Sequence, residues 1–180
     1  MPMQHRVAGL AVGLALLFTA EPALGQATPA GVKYPIRLAY DSISDSTTRS
    51  VEVQRGRYFL HFHKPRVTVA VAYPGQVPPA EPDSVLVEFR TQSPQYTSTN
   101  VLTLTAPGGR RVVAVATRSR VYTHIQTTDH TLTFVLPAAE LQPLLAATKA
   151  GMEVGGVKVD LKRAQLEALA ALLAPPPAAP

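Results

Sequence analysis

The sequence contains no cysteine and no tryptophan, and aromatic residues make up only 6% of its 180 positions. Without cysteine there is no disulfide framework, no thiolate nucleophile, no thiolate zinc site and no lipobox thiol to carry a lipid. With so few rings, a surface that interleaves basic and aromatic residues to stack nucleobases has no source. Acidic residues are the minority charge: 12 Asp and Glu stand against 17 Lys and Arg, giving a formal charge of +5. Apolar runs are short as well, and none reaches the roughly 20 residues a bilayer-spanning helix needs. What is present is 46% hydrophobic residues, enough to build a core in a chain of one-domain length and to set aside a disordered or collagenous protein.

The N-terminus has the organisation of a secretory signal. His5 and Arg6 precede the uncharged run Val7 to Phe18, which Glu21 and Pro22 stop, and the small-residue stretch Ala23-Leu24-Gly25-Gln26-Ala27 follows. A basic start, a short apolar segment and small residues ahead of a cut are the three parts of such a signal. We therefore expect residues 1–25 to be a cleaved signal peptide, 26–174 a single β-rich domain, and 175–180 a Pro/Ala tail. That domain, of roughly 150 residues, buries about 68–70% of its unfolded surface and folds without help from bridges. Export without cysteine suits the bacterial periplasm or exterior, with no stable membrane span once the signal is removed.

Past residue 28 the chain reads as strands followed by helices. Ile36 to Tyr40 alternates weakly, and the Ser/Asp/Thr stretch 41–48 is expected to be a loop, because those side chains bond nearby backbone in competition with a ladder. Val51 to Gln54, Tyr58 to His63 and Arg66 to Tyr73 read as strands. In the last of these Val67, Val69, Val71 and Tyr73 share one face while Thr68, Ala70 and Ala72 share the other. The proline-rich 74–83 segment must be an exposed connection. Further strands are expected over 84–91, 101–106, 111–117, 121–126 and 131–136, separated by turns at 92–100, 107–109, 118–120 and 127–130. Short runs at this spacing predict a mainly β protein, an antiparallel β-sandwich or open barrel. Two C-terminal helices complete it: one within 137–150, and one over 164–173 whose Leu166, Leu169, Leu172 and Leu173 form an apolar stripe. Gly155-Gly156 turns a hairpin between them over 152–161.

The order Gln54-Arg55-Gly56, a strand, Ala72-Tyr73-Pro74-Gly75, a proline loop, Asp83-Ser84-Val85, then Leu136-Pro137, a helix, the Gly155-Gly156 hairpin and a terminal leucine helix resembles uncharacterised secreted bacterial β domains with a C-terminal helix. The resemblance spans most of residues 45–173. It implies a fold and carries no activity with it.

Catalytic signatures are scarce. No Gly-x-Ser-x-Gly elbow is present, Asp129-His130 reads as a loop pair rather than part of a triad, and the acids are scattered without a pattern that pairs them. Pro107-Gly108-Gly109-Arg110-Arg111 lacks the spacing and lysine of a phosphate loop and reads as a hairpin turn. We expect no catalysis. Two binding chemistries stay open. Arg55, Arg57 and Arg66, and Arg110, Arg111, Arg118 and Arg120, would form a basic patch for an anionic glycan or an envelope protein if the ends of their strands meet, alongside the 74–83 loop. Nucleic acid is not an expected partner for an exported chain. The plainer alternative is that these arginines keep strand edges unpaired. Second, His61 and His63 project from one face if they lie on one strand, and with His124 they could hold zinc or copper. Nearby Lys64 and Arg66 oppose a cation there, and the plainer alternative is exposed or hydrogen-bonded histidines without any cofactor. The terminal leucine stripe is read as a helix that covers a sheet.

Overall fold

In the computed structural model the described residues are 33–59, 62–76, 81–92, 100–123 and 128–175, and for 57–59, 62 and 63 the backbone alone. The expected signal peptide and most of the tail lie outside them. Twelve strands follow in order: β1 Ile36–Asp41, β2 Ser46–Gln54, β3 Arg57–Phe59, β4 Phe62–Lys64, β5 Arg66–Pro74, β6 Ser84–Thr91, β7 Val101–Ala106, β8 Gly109–Val115, β9 Arg118–Thr123, β10 Thr128–Pro137, β11 Ala150–Val154 and β12 Val157–Leu161. A short 3-10 turn, Ala138–Leu141, runs into a single helical turn, α1, Gln142–Leu145, and α2 spans Arg163–Leu173.

The chain is mainly β, as expected. A six-stranded sheet in the order β1-β2-β5-β6-β10-β9 faces a four-stranded sheet in the order β12-β11-β7-β8, and β3 and β4 form a separate two-stranded ladder. All pairings are antiparallel. The arrangement is that of a sandwich, and among the described residues neither sheet closes into a barrel.

Alternation places the core. On β5, Val67, Val69, Val71 and Tyr73 are buried, and on β6 Val85, Val87 and Phe89 are, joined by Leu132, Phe134 and Leu136 of β10. Leu102, Leu104, Met152, Val154, Val159 and Leu161 of the smaller sheet belong to the same cluster. The leucine stripe Leu166, Leu169, Leu172 and Leu173 of α2 is buried in it too, so this helix packs over β2 and β5 rather than standing free. Phe89 and Phe134 meet edge to face with centroids 6.2 Å apart, an arrangement that the ring quadrupoles favour. One continuous core thus fixes which face of the six-stranded sheet is inner and leaves the opposite face to carry the intervening residues.

Turns fall where glycine permits them. Gly109, after Pro107-Gly108, has φ +107°, and Gly155 and Gly156 have φ +58° and +83°, conformations that side chains other than glycine rarely adopt.

Several expectations are corrected. The single strand over 58–63 is two strands, since β3 pairs antiparallel with β4 through Arg57↔Lys64, Tyr58↔His63 and Phe59↔Phe62. The loop over 41–48 ends at Asp45, and Ser46, Thr47 and Thr48 enter β2 because β1 and β5 offer partners on both sides. The turns expected at 118–120 and 127–130 are shorter: Arg118 to Arg120 begin β9, and Thr128 to His130 begin β10. The helix sought in 137–150 shrinks to a 3-10 turn and one α-turn, because Leu136 and Pro137 still belong to β10 and Ala150 already belongs to β11.

Candidate functional site

Directly opposed residues in antiparallel strands project from the same face, so register assigns the outer face of the six-stranded sheet residue by residue. Arg66 of β5 stands opposite Arg90 of β6, Arg90 stands opposite Thr131 of β10, and Thr131 stands opposite Arg120 of β9. One cross-strand row therefore carries three arginines, with neighbouring strands about 4.8 Å apart. The adjacent row reads Glu52, Thr68, Glu88, Thr133 and Arg118 across β2, β5, β6, β10 and β9. Four arginines and two glutamates thus share one surface, because on each strand this phase alternates with the residues that enter the core, such as Val67, Phe89 and Leu132.

Like charges set directly opposite each other destabilise a sheet, and two carboxylates offset the Arg66–Arg90 contact. Arg66 Nε lies 3.4 Å from Glu52 Oε2, and Arg90 Nη2 lies 2.6 Å from Asp129 Oδ2. The two guanidinium side chains remain 47% and 44% exposed, whereas Asp129 is 7% exposed. Burial pushes the Glu88 carboxyl above its ordinary value, and Arg90, Arg66 and Arg120 pull it back down. Arg120 Nη1 donates to the hydroxyl of Tyr122 at 3.3 Å. Tyr122 is half exposed on the same face, opposite Asp129.

The expected basic residues separate under this register. Arg66, Arg118 and Arg120 lie on the outer face, together with Arg90, which the sequence reading passed over. Arg110 and Arg111 sit on β8 of the other sheet and, being adjacent, point to opposite sides; Arg110 pairs with Glu153 at 2.6 Å and Arg111 pairs with Glu140. Arg55 is exposed just after β2, and Arg57 is opposite Lys64 in the β3–β4 ladder. The missing signal for Arg90 was within reach, since Val85, Val87 and Phe89 in one phase of β6 put Leu86, Glu88 and Arg90 in the other. Which strand would lie beside it was not.

Of the metal candidates, His61 and His124 lie outside the described residues, and His63 stands opposite Tyr58 in the ladder. Among the described residues no group of three or more His, Asp or Glu side chains comes together in a manner that could hold a metal ion. His130, expected in a turn, is instead buried on the inner face of β10 at 8% exposure. It borders an apolar recess formed with Pro65, Phe89, Thr91, Leu132, Val154 and Val157. Its Nδ1 has no hydrogen-bond partner among the described residues.

The outer face supplies fixed positive charge and forked N–H donors, which bind carboxylate, sulfate or phosphate oxygens in pairs. No family model matches the chain, and neither a curated protein nor a solved structure matches it.

Proposed function

We propose that the chain is an exported, non-catalytic binding domain of the bacterial envelope, periplasmic or secreted, that takes an anionic partner on the outer face of its six-stranded sheet. One observation carries the reading: Arg66 and Arg90 are directly opposed, in line with Arg120. Glu52 and Asp129 offset the like-charge contact, and both guanidiniums stay about half exposed, so an anion laid across the row can share their donors. The net charge of +5 draws such partners from a distance, and the basic, apolar and small-residue order of the first 25 residues supports export.

Retention on a heparin matrix tests it. The double variant Arg66→Ala with Arg120→Ala should elute at clearly lower salt than the parent. Lys158→Ala with Lys162→Ala removes the same charge from elsewhere and should shift elution much less. Equal shifts would reduce the binding to net charge and overturn the proposed face.

A further inference from the structure

The strand that ends the arginine row is also the end of the sheet. β9 pairs with β10 and with no other described strand, so its outer edge presents backbone N–H and C=O groups in the manner of any edge strand. Neither of its faces is fully covered: Arg118 and Arg120 are partly buried, and Val121 and Tyr122 are about half exposed. Val121 stands opposite the buried His130 and points to the same side, yet Val121 is 54% exposed, so the second sheet does not extend over it. On the other face are Arg118 and Arg120. Unlike Arg66 and Arg90, they form no ion pair in direct contact among the described residues, although Arg120 lies near enough to Glu88 to favour its charged form.

Arginines on an edge discourage a second copy from pairing there, because like charges would be brought together. The same charges favour a strand of opposite sign. A strand laid beside β9 must alternate as β9 does: its outer-phase side chains meet Arg118 and Arg120, and its inner-phase side chains cover Val121. We propose that the β9 edge docks an extended acidic polypeptide segment, with carboxylates at every second position and apolar residues between them, added as a seventh strand. This mode of recognition draws affinity from main-chain hydrogen bonds and selectivity from alternate side chains. It rests on the anionic-partner reading above and names the partner.

The experiment uses the full chain and three parent probes: a peptide of alternating glutamate and valine, a block isomer of the same composition, and heparin. The alternating peptide should bind at least about tenfold more tightly than the block isomer. N-methylation of alternate peptide nitrogens should abolish binding in one phase and spare it in the other, because only one edge of an added strand faces β9. Arg118→Ala with Arg120→Ala should weaken the alternating peptide by about tenfold or more. If heparin binds but the two peptide isomers bind equally, or neither N-methylated phase loses binding, the edge is not the docking element. The face then takes an anionic glycan or charge alone. If heparin and both peptides fail to bind, the anionic-partner reading falls together with this one.

Discussion

Gln165 of α2 donates from Nε2 to the carbonyl of Val53 at 2.5 Å, while its Oε1 accepts the backbone N–H of Lys162 at 2.7 Å. The two bonds explain why a glutamine is 4% exposed in an otherwise apolar interface. Val53 falls at an irregularity in the β2–β5 ladder, where Glu52 pairs with Thr68 and Gln54 with Val67, so its carbonyl is available to a side chain. One residue therefore closes the N-terminal end of α2 and fastens that end to β2.

Replacing Gln165 with leucine should cost about 1–3 kcal/mol, because a buried carbonyl and a helix N–H both lose their partner. Gln165→Glu should cost more, since a carboxylate cannot donate to Val53. The urea midpoint should fall with the slope unchanged; an unaltered midpoint would show that the Gln165 bonds add nothing to the hold on α2.

The far end of the same helix is held by Arg49, whose Nη1 and Nη2 donate to the carbonyls of Ala174 at 3.0 Å and Ala171 at 3.1 Å. A cation at a helix C-terminus, bonded to its last carbonyls, contributes about 0.3–1 kcal/mol. Arg49→Ala should accelerate amide exchange in the last turn of α2 while leaving β5 and β6 protected. Arg49→Lys should restore only part of the protection, because an ammonium lacks the fork that reaches both carbonyls.

The Arg90–Asp129 pair joins a half-exposed cation to a buried carboxylate. Arg90→Ala should destabilise the domain by about 1–3 kcal/mol by removing a charge-assisted hydrogen bond from the buried Asp129 carboxylate. Adding Asp129→Asn should recover part of the loss. A double-mutant cycle by chemical denaturation measures the coupling, and strict additivity would deny it.

Glu88 gives the outer face a pH dependence with a defined sign. Its carboxyl is raised in the folded state, chiefly by burial, so between the unfolded value and the raised one the folded chain holds more protons. Its contribution to stability is therefore favourable below that window and is lost as pH rises through it. Relative to the parent, Glu88→Gln should gain stability as pH climbs from about 4 to 7. Midpoints measured across that range check it, and a parallel course of the two proteins would place Glu88 in an ordinary solvated setting.

Much of the fold was legible from local chemistry. The alternation Val67, Val69, Val71, Tyr73 marked the inner phase of β5. Ser84 to Thr91 and Val101 to Ala106 appear as strands with the bounds expected, and Gly109 and the Gly155-Gly156 pair turn where positive φ is required. The stripe from Leu166 to Leu173 announced a helix with a face to bury. Each of these signals lies within a few residues, where period and backbone sterics act directly. The reversal between Phe59 and Phe62, the entry of Arg118 and Asp129 into strands, and the shortening of the helix after Pro137 depended instead on partners far along the chain. For the candidate site the division is the same. Alternation alone assigns Arg66 to the outer phase of β5 and Arg90 to the outer phase of β6, because side chains on a strand have a period of two. Only the tertiary pairing of β5 with β6, and of β10 with both β6 and β9, sets those arginines in one row with Arg120. Strand partners are chosen by burial of the whole core rather than by any local signal.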